Sequence, residues 1–256
     1  MLGIIAGTGF YEMKMLQNAK VEHIATAYGN AAVYLGEYLG KKLAFLPRHG
    51  KGHSIPPHLV NYRANIEALN SLGVKRILAI NAVGSLKYEL PPGSLVLIND
   101  FLDFTYGREH TYFTGGEAGV GHVSMCEPYC KAWQKEILSA AKNIGIELFQ
   151  NGVYVATQGP RFESPAEIKM FAMLGGTVVG MTGVPEVCLA AEKGLCYGAV
   201  SVVTNLGSGM TDNIAHGEVV GVMNKANAAL EILLEELAAN YKAERNCTCG
   251  SDSRCV

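Results

Sequence analysis

Tyr197-Gly-Ala-Val-Ser-Val-Val-Thr-Asn-Leu-Gly-Ser-Gly209 reads as a buried strand with an abruptly polar, glycine-rich exit. The run from Ala199 to Val203 is short, β-branched and without a solvated alternate face, the pattern of a parallel strand covered on both sides. Ligands of open α/β sheets sit outside the carboxyl ends of the strands, so Thr204, Asn205 and Ser208 fall where a small molecule would meet the sheet. Asn205 either faces such a ligand or bonds its own turn.

Several other segments repeat this design. Leu2 to Ala6 runs into Gly7-Thr8-Gly9, a turn with the backbone freedom and hydroxyl to hold an anion. Glu12 stands where a dinucleotide fingerprint would need a third glycine, and no lysine-containing phosphate loop occurs. Val33 to Leu35 and Lys42 to Leu46 pattern as paired strands, the second delivering Arg48-His49, where a guanidinium fork and an imidazole donor suit an oxyanion. Val74 to Ile80 ends in Asn81-Ala82-Val83-Gly84-Ser85. Gly152 to Ala156 opens into Thr157 to Glu163, where Phe162 either stacks on a flat ring or docks the following helix. Thr177 to Val179 leads to Gly180-Met181-Thr182-Gly183, a hydroxyl at a helix start. Small residues with one polar side chain at successive strand ends are how phosphate sites are assembled.

Between these lie a helix over 61–72 with Leu59, Tyr62, Ile66 and Leu69 on one face, and a further strand over 95–100. An aromatic, charged loop over 105–113 has the character of a lid or an oligomer contact. Helices follow over 127–144, where Trp133 is core or interface, over 165–174, after Thr182, and over 218–241.

With 49% hydrophobic and 17% charged residues and no linker-like segment, the chain is expected to form one globular domain. A net charge of −2 without a basic stripe disfavours nucleic acid, and no apolar run approaches the roughly 18 residues of a membrane span. A cytoplasmic protein without membrane partners is the expectation. Cys126, Cys130, Cys188 and Cys196 suit buried thiols, whereas Cys247, Cys249 and Cys255 cluster in a polar tail that would bind metal, form disulfides or be disordered. Three thiols without a nearby fourth ligand make an incomplete zinc site.

Taken in order, Gly7-Thr-Gly9, Arg48-His49, Asn81-Ala82, Gln158-Gly-Pro-Arg-Phe162, Gly180-Met-Thr-Gly183 and Thr204-Asn205 resemble the trimeric purine nucleoside phosphorylase and methylthioadenosine phosphorylase family. The closest resemblance is to its 6-oxopurine nucleoside and methylthioinosine phosphorylases. It implies a single α/β domain over residues 1–245, whose twisted mixed central sheet closes toward a distorted barrel flanked by helices, with 246–256 as a cysteine-containing tail. It also implies a homotrimer or dimer of trimers, and no metal or organic cofactor, phosphate being a co-substrate. Thr8, Arg48, His49, Asn81, Ala82 and Thr182 match phosphate ligands. Phe162 matches the base-packing aromatic, Met181 the ribose contact, and Asn205 with Leu206 and Gly207 the base wall. His122 matches, more loosely, a neighbouring subunit's contribution.

The implied reaction is phosphorolysis in purine salvage, with Asn205, Arg48 and His49 carrying the chemistry. An amide can accept a proton held on purine N7 and donate to a 6-oxo oxygen, whereas an ionised aspartate only accepts. Asn205 therefore favours inosine and guanosine over adenosine. His216 matches a residue bonding a 5′-hydroxyl, while other segments resemble methylthioinosine phosphorylases, so a 5′-methylthio substrate stays open. A non-catalytic nucleoside-binding protein and a hydrolase using water are further alternatives.

Overall fold

A computed structural model of the chain describes residues 1–10, 15–211 and 216–251, the side chains of His216 and Glu218 excepted. Four parallel strands form its centre. Strand β1 (Leu2–Ala6) is buried throughout and needs a neighbour on each edge to satisfy its backbone. In chain order, β2 (Gln17–Thr26) and β3 (Gly29–Tyr38) precede β4 (Lys41–Pro47), which pairs with one edge of β1. Strand β5 (Arg76–Ser85) pairs with the other edge. Ala6 stands opposite Pro47 and Ile80, so Gly7-Thr8 and Arg48-His49 leave the sheet beside Asn81-Ala82, which stay in β5 and pair with β9 as far as Ser85 rather than ending the strand at Ile80.

The remaining strands close a ring. Strands β6 (Leu95–Phe104), β7 (Phe149–Thr157), β8 (Val178–Gly180) and β9 (Cys196–Leu206) give the order β2-β3-β4-β1-β5-β8-β7-β6-β9, and β9 returns to pair with β5. The mixed sheet thus closes into a five-stranded barrel of β5, β8, β7, β6 and β9. β9 is parallel to β5 but antiparallel to β6, so only one of its edges has the parallel pairing expected from its apolar run. Opposite Val83 and Gly84, β9 supplies Val203 and Asn205, leaving Thr204 as the extra residue of a bulge. Such bulges bend a strand and re-aim its side chains, here at the carboxyl end where a ligand would sit.

Helices cover both faces. Helix α1 (Tyr62–Ser71) begins where the Asn61 side chain accepts the Ala64 N–H at 3.0 Å. Because the helix starts there, Leu59 falls outside its apolar stripe and is 66% exposed, while Tyr62, Ile66 and Leu69 are buried. Helix α2 (Lys131–Asn143) starts four residues later than its pattern suggested, with Cys130 as its cap. Helix α3 (Pro165–Met173) opens on a reciprocal Ser164–Glu167 capping box, followed by α4 (Gly183–Glu192) and α5 (His216–Ala239). One apolar cluster joins α1 and α4 to the sheet. A second holds Trp133 and Ile137 of α2 with Leu230, Leu233, Leu234 and Leu237 of α5. Each such leucine contributes about 1.5–3 kcal/mol of burial, which fixes the layers that bring the strand ends together.

Candidate active site

The exits of β1, β4, β5, β8 and β9 surround one cavity of about 400 Å³. Thr8, Arg48, His49, Ala82 and Thr182 border it together with Phe162, Met181, Thr204 and Asn205. Thr8 is held in a tight turn: Gly9 has φ 78°, and a Cβ there would stand 2.5 Å from the Cβ of Met223 on α5. Only glycine meets both demands.

Arg48 is a fully buried cation with a partner. Its Nε and Nη2 each donate to the Glu186 carboxylate at 2.8 Å, and its Nη1 donates to the Ile80 carbonyl at 3.2 Å. Tyr197 donates its hydroxyl to Glu186 at 2.6 Å. Burial works against the guanidinium charge, but Glu186 outweighs it and raises the Arg48 pKa. Three of the five guanidinium N–H groups are thereby engaged, and two remain for a ligand.

His49 differs from the donor expected of it. Its Nδ1 lies 2.8 Å from the Ile55 carbonyl, which can only accept, so Nδ1 carries the hydrogen. Burial, assisted by the Arg48 charge, lowers the His49 pKa to about 3, so the ring is neutral at physiological pH. Nε2 then presents a lone pair, suited to a protonated oxyanion oxygen.

Thr182 borders the cavity, yet its own N–H and that of Gly183 both donate to the Tyr154 hydroxyl, at 3.1 and 3.2 Å. The amino end of α4 is therefore already occupied, and Thr182 faces a ligand through its hydroxyl. That hydroxyl donates to Asn81 Oδ1 at 3.3 Å. Asn81 is buried and stands behind Thr182, outside the cavity lining.

At the opposite end, Thr204 donates to Asn205 Oδ1 at 2.9 Å, while Asn205 Nδ2 donates to the Leu206 carbonyl at 2.9 Å. The local bonding considered for Asn205 thus coexists with a cavity-facing position, and each end of the amide retains capacity for one more bond. Glu163 borders the same cavity. Burial pushes its carboxyl above the ordinary carboxylate range, although Thr157 donates to it at 2.6 Å and opposes the shift. Phe162 is partly exposed on the cavity wall.

Leu206, Gly207 and His122 do not border the cavity; Gly207 packs on Ile168, and His122 is exposed. The side chain of His216 lies outside the described residues, but Val219, three residues along α5, lines the cavity. Sequence patterning also passed over Arg108. It anchors the 105–113 loop by donating to the carbonyls of Met181, Val184 and Gln158, each at 2.8 Å, and of Thr157 at 3.1 Å. The signal for Glu186 was present, since a carboxylate inside the apolar run of 184–191 demands a buried partner. Nothing local marks Arg108.

The cavity thus joins a polar, cation-containing end to an end with amide, carboxylate and aromatic groups, which defines a site for a small molecule bearing a ring and an anion. Residues 1–239 match the family model described as the phosphorylase superfamily, and the chain belongs to that family. It is 46% identical over 249 residues, covering 97% of this chain and 96% of the relative, to a probable 6-oxopurine nucleoside phosphorylase of Moorella thermoacetica. It is 43% identical, with 97% and 87% covered, to a probable S-methyl-5′-thioinosine phosphorylase of Methanothermobacter thermautotrophicus. Methylthioadenosine phosphorylase from Schistosoma mansoni in complex with adenine has a similar structure, with TM-score 0.90, 34% identity and coverage of 95% and 92%.

Proposed function

We propose that the chain catalyses phosphorolysis of 6-oxopurine nucleosides, inosine and guanosine, to free base and ribose 1-phosphate. The single observation carrying this reading is the pairing, in one cavity, of Arg48, His49, Thr8, Ala82 and Thr182 at one end with Asn205 and Glu163 at the other. A 6-oxopurine presents an oxygen acceptor beside an N1–H donor. Asn205 Nδ2 supplies the donor for the oxygen, and the Glu163 carboxylate the acceptor for N1–H. Adenine reverses both requirements, so it meets two mismatches.

Phosphate dianion attacks the anomeric carbon as the bond to N9 breaks and its electron pair passes to the base. The proton lost by phosphate balances the one gained by the purine. His49 Nε2 accepts the P–OH, fixing which phosphate oxygens are left unprotonated for attack. The two uncommitted Arg48 N–H groups hold the remaining oxygens, joined by the Thr182 hydroxyl once it turns its hydrogen from Asn81 to the anion. As the sugar becomes cation-like, the anion beneath it stabilises charge that exists only in the transition state. N7 takes up a proton from solvent as the proton of the phosphate is released, and Asn205 Oδ1 accepts a hydrogen bond from the resulting N7–H, so the base departs neutral. Phe162 covers the purine ring and Met181 the ribose.

The same reading places the enzyme in purine salvage in the cytoplasm, as a homotrimer or dimer of trimers needing phosphate but no organic cofactor; the family resemblance supports each of these. A 5′-methylthioinosine substrate is the second reading, supported by the relative named for that activity. Initial rates with inosine, guanosine, adenosine and 5′-methylthioinosine separate them. Inosine and guanosine are expected to be preferred, and adenosine turnover as efficient as inosine would contradict the assignment.

A further inference from the structure

The tail thiols meet partners that lie far away in sequence. Cys130 caps α2, Cys196 begins β9, and Cys247 and Cys249 lie in the tail. The four sulfurs all lie within 4.8 Å of one another, with Cys196 and Cys247 3.3 Å apart. Tetrahedral zinc with Zn–S bonds of about 2.3 Å holds its sulfurs about 3.8 Å apart, inside this range. The fold therefore supplies the ligands that the tail alone lacks; Cys255 lies outside the described residues.

We propose that Cys130, Cys196, Cys247 and Cys249 form a closed tetrathiolate zinc site that fastens the C-terminal tail to the sheet. Four thiolates around Zn²⁺ carry a net charge of −2, and the surroundings offset it. The Trp133 N–H at the amino end of α2 donates to Cys130 Sγ at 3.5 Å, and Arg245 Nη1 lies 3.9 Å from Cys196 Sγ. Disulfides are neutral and need neither group, nor do they need all four sulfurs in mutual proximity.

The attachment has further support. Tyr241 donates to the Met1 carbonyl at 3.0 Å, Arg76 to the Glu244 carbonyl at 2.6 Å, and Arg245 to the Gly194 carbonyl at 2.7 Å. The tail thus runs across the amino-terminal ends of the central strands. Cys196 and Asn205 occupy opposite ends of β9, separated by about 30 Å at the usual strand rise, so the metal is structural.

The full chain, purified without chelator or reductant, is analysed for metal by inductively coupled plasma mass spectrometry and for thiols by mercurial titration. About one zinc per chain is expected, released as four thiols are titrated. The Cys247→Ser/Cys249→Ser variant should lose the zinc, keep its inosine turnover at moderate temperature and unfold at a lower temperature. Should that variant fail to fold, cobalt exchanged into the unaltered protein should give thiolate-to-cobalt charge-transfer and tetrahedral d–d bands. Absence of zinc and cobalt binding overturns the proposal, as does an intact mass lower by two hydrogens for each of two disulfides.

Discussion

Replacing Asn205 by Asp exchanges one heavy atom, the amide nitrogen for an oxygen, and tests the base-recognition end of the cavity. In the ligand-free enzyme Oδ1 would still accept from Thr204, but the second carboxylate oxygen would face the Leu206 carbonyl, to which the amide now donates at 2.9 Å. Two acceptors at that distance repel, so the side chain must turn or forfeit the contact. Toward substrate, the donor for the 6-oxo oxygen disappears. Leaving such a partner unsatisfied in the cavity costs about 1–3 kcal/mol, or about 5- to 150-fold in kcat/KM for inosine. Adenosine should gain only modestly, because Glu163 still opposes its N1. The Asn205→Asp/Glu163→Gln variant supplies an acceptor for the 6-amino group and a donor for N1. Its gain with adenosine should exceed the product of the two single gains. Steady-state kcat/KM for both nucleosides in all four forms measures this, with thermal melts to show that each is folded. An Asn205→Asp enzyme with the inosine-to-adenosine ratio unchanged would refute the assigned role.

Three other outcomes follow from the site. Removing the Glu186 carboxylate (Glu186→Ala) strands a fully buried Arg48 and should cost about 3–5 kcal/mol, lowering the melting temperature by roughly 6–20 °C in a domain of this size. Because the raised pKa of Glu163 must be exceeded for its carboxylate to accept N1–H, kcat/KM for inosine at fixed phosphate dianion should fall on acidification, beginning above the pH of an exposed carboxylate. Glu163→Gln should remove that limb; it should also be relatively more stable than the parent at neutral pH, where ionising a group with a raised folded-state pKa costs stability. Changing His216 to Val should reduce inosine turnover more than methylthioinosine turnover if the imidazole bonds a 5′-hydroxyl, and equal losses would dissociate it from that group.

The central strands were legible because each is an apolar run interrupted by a polar, glycine-containing exit, and parallel register necessarily brings such exits together. Strand β2 was not, since nearly all of its residues are exposed and only its ladder to β3 holds it extended. The phosphate-end residues could be named from their types, but their states could not. The His49 tautomer depends on the Ile55 carbonyl, and the charge beside Arg48 depends on a glutamate 138 positions away. Asn81 illustrates the same limit: patterning ended its strand at Ile80, whereas β5 runs on to Ser85, and Asn81 is buried within it, accepting from Thr182 outside the cavity lining. The cysteine cluster gathers α2, β9 and the tail, a convergence set by tertiary packing and invisible to spacing.

Phosphorolysis itself is tested by following hypoxanthine release from inosine in phosphate-free buffer and again with added phosphate, with phosphorus NMR of the sugar product. Turnover should require phosphate, and ribose 1-phosphate should form in equal amount to the base. Release of hypoxanthine at the same rate without phosphate, with free ribose as the product, would contradict it.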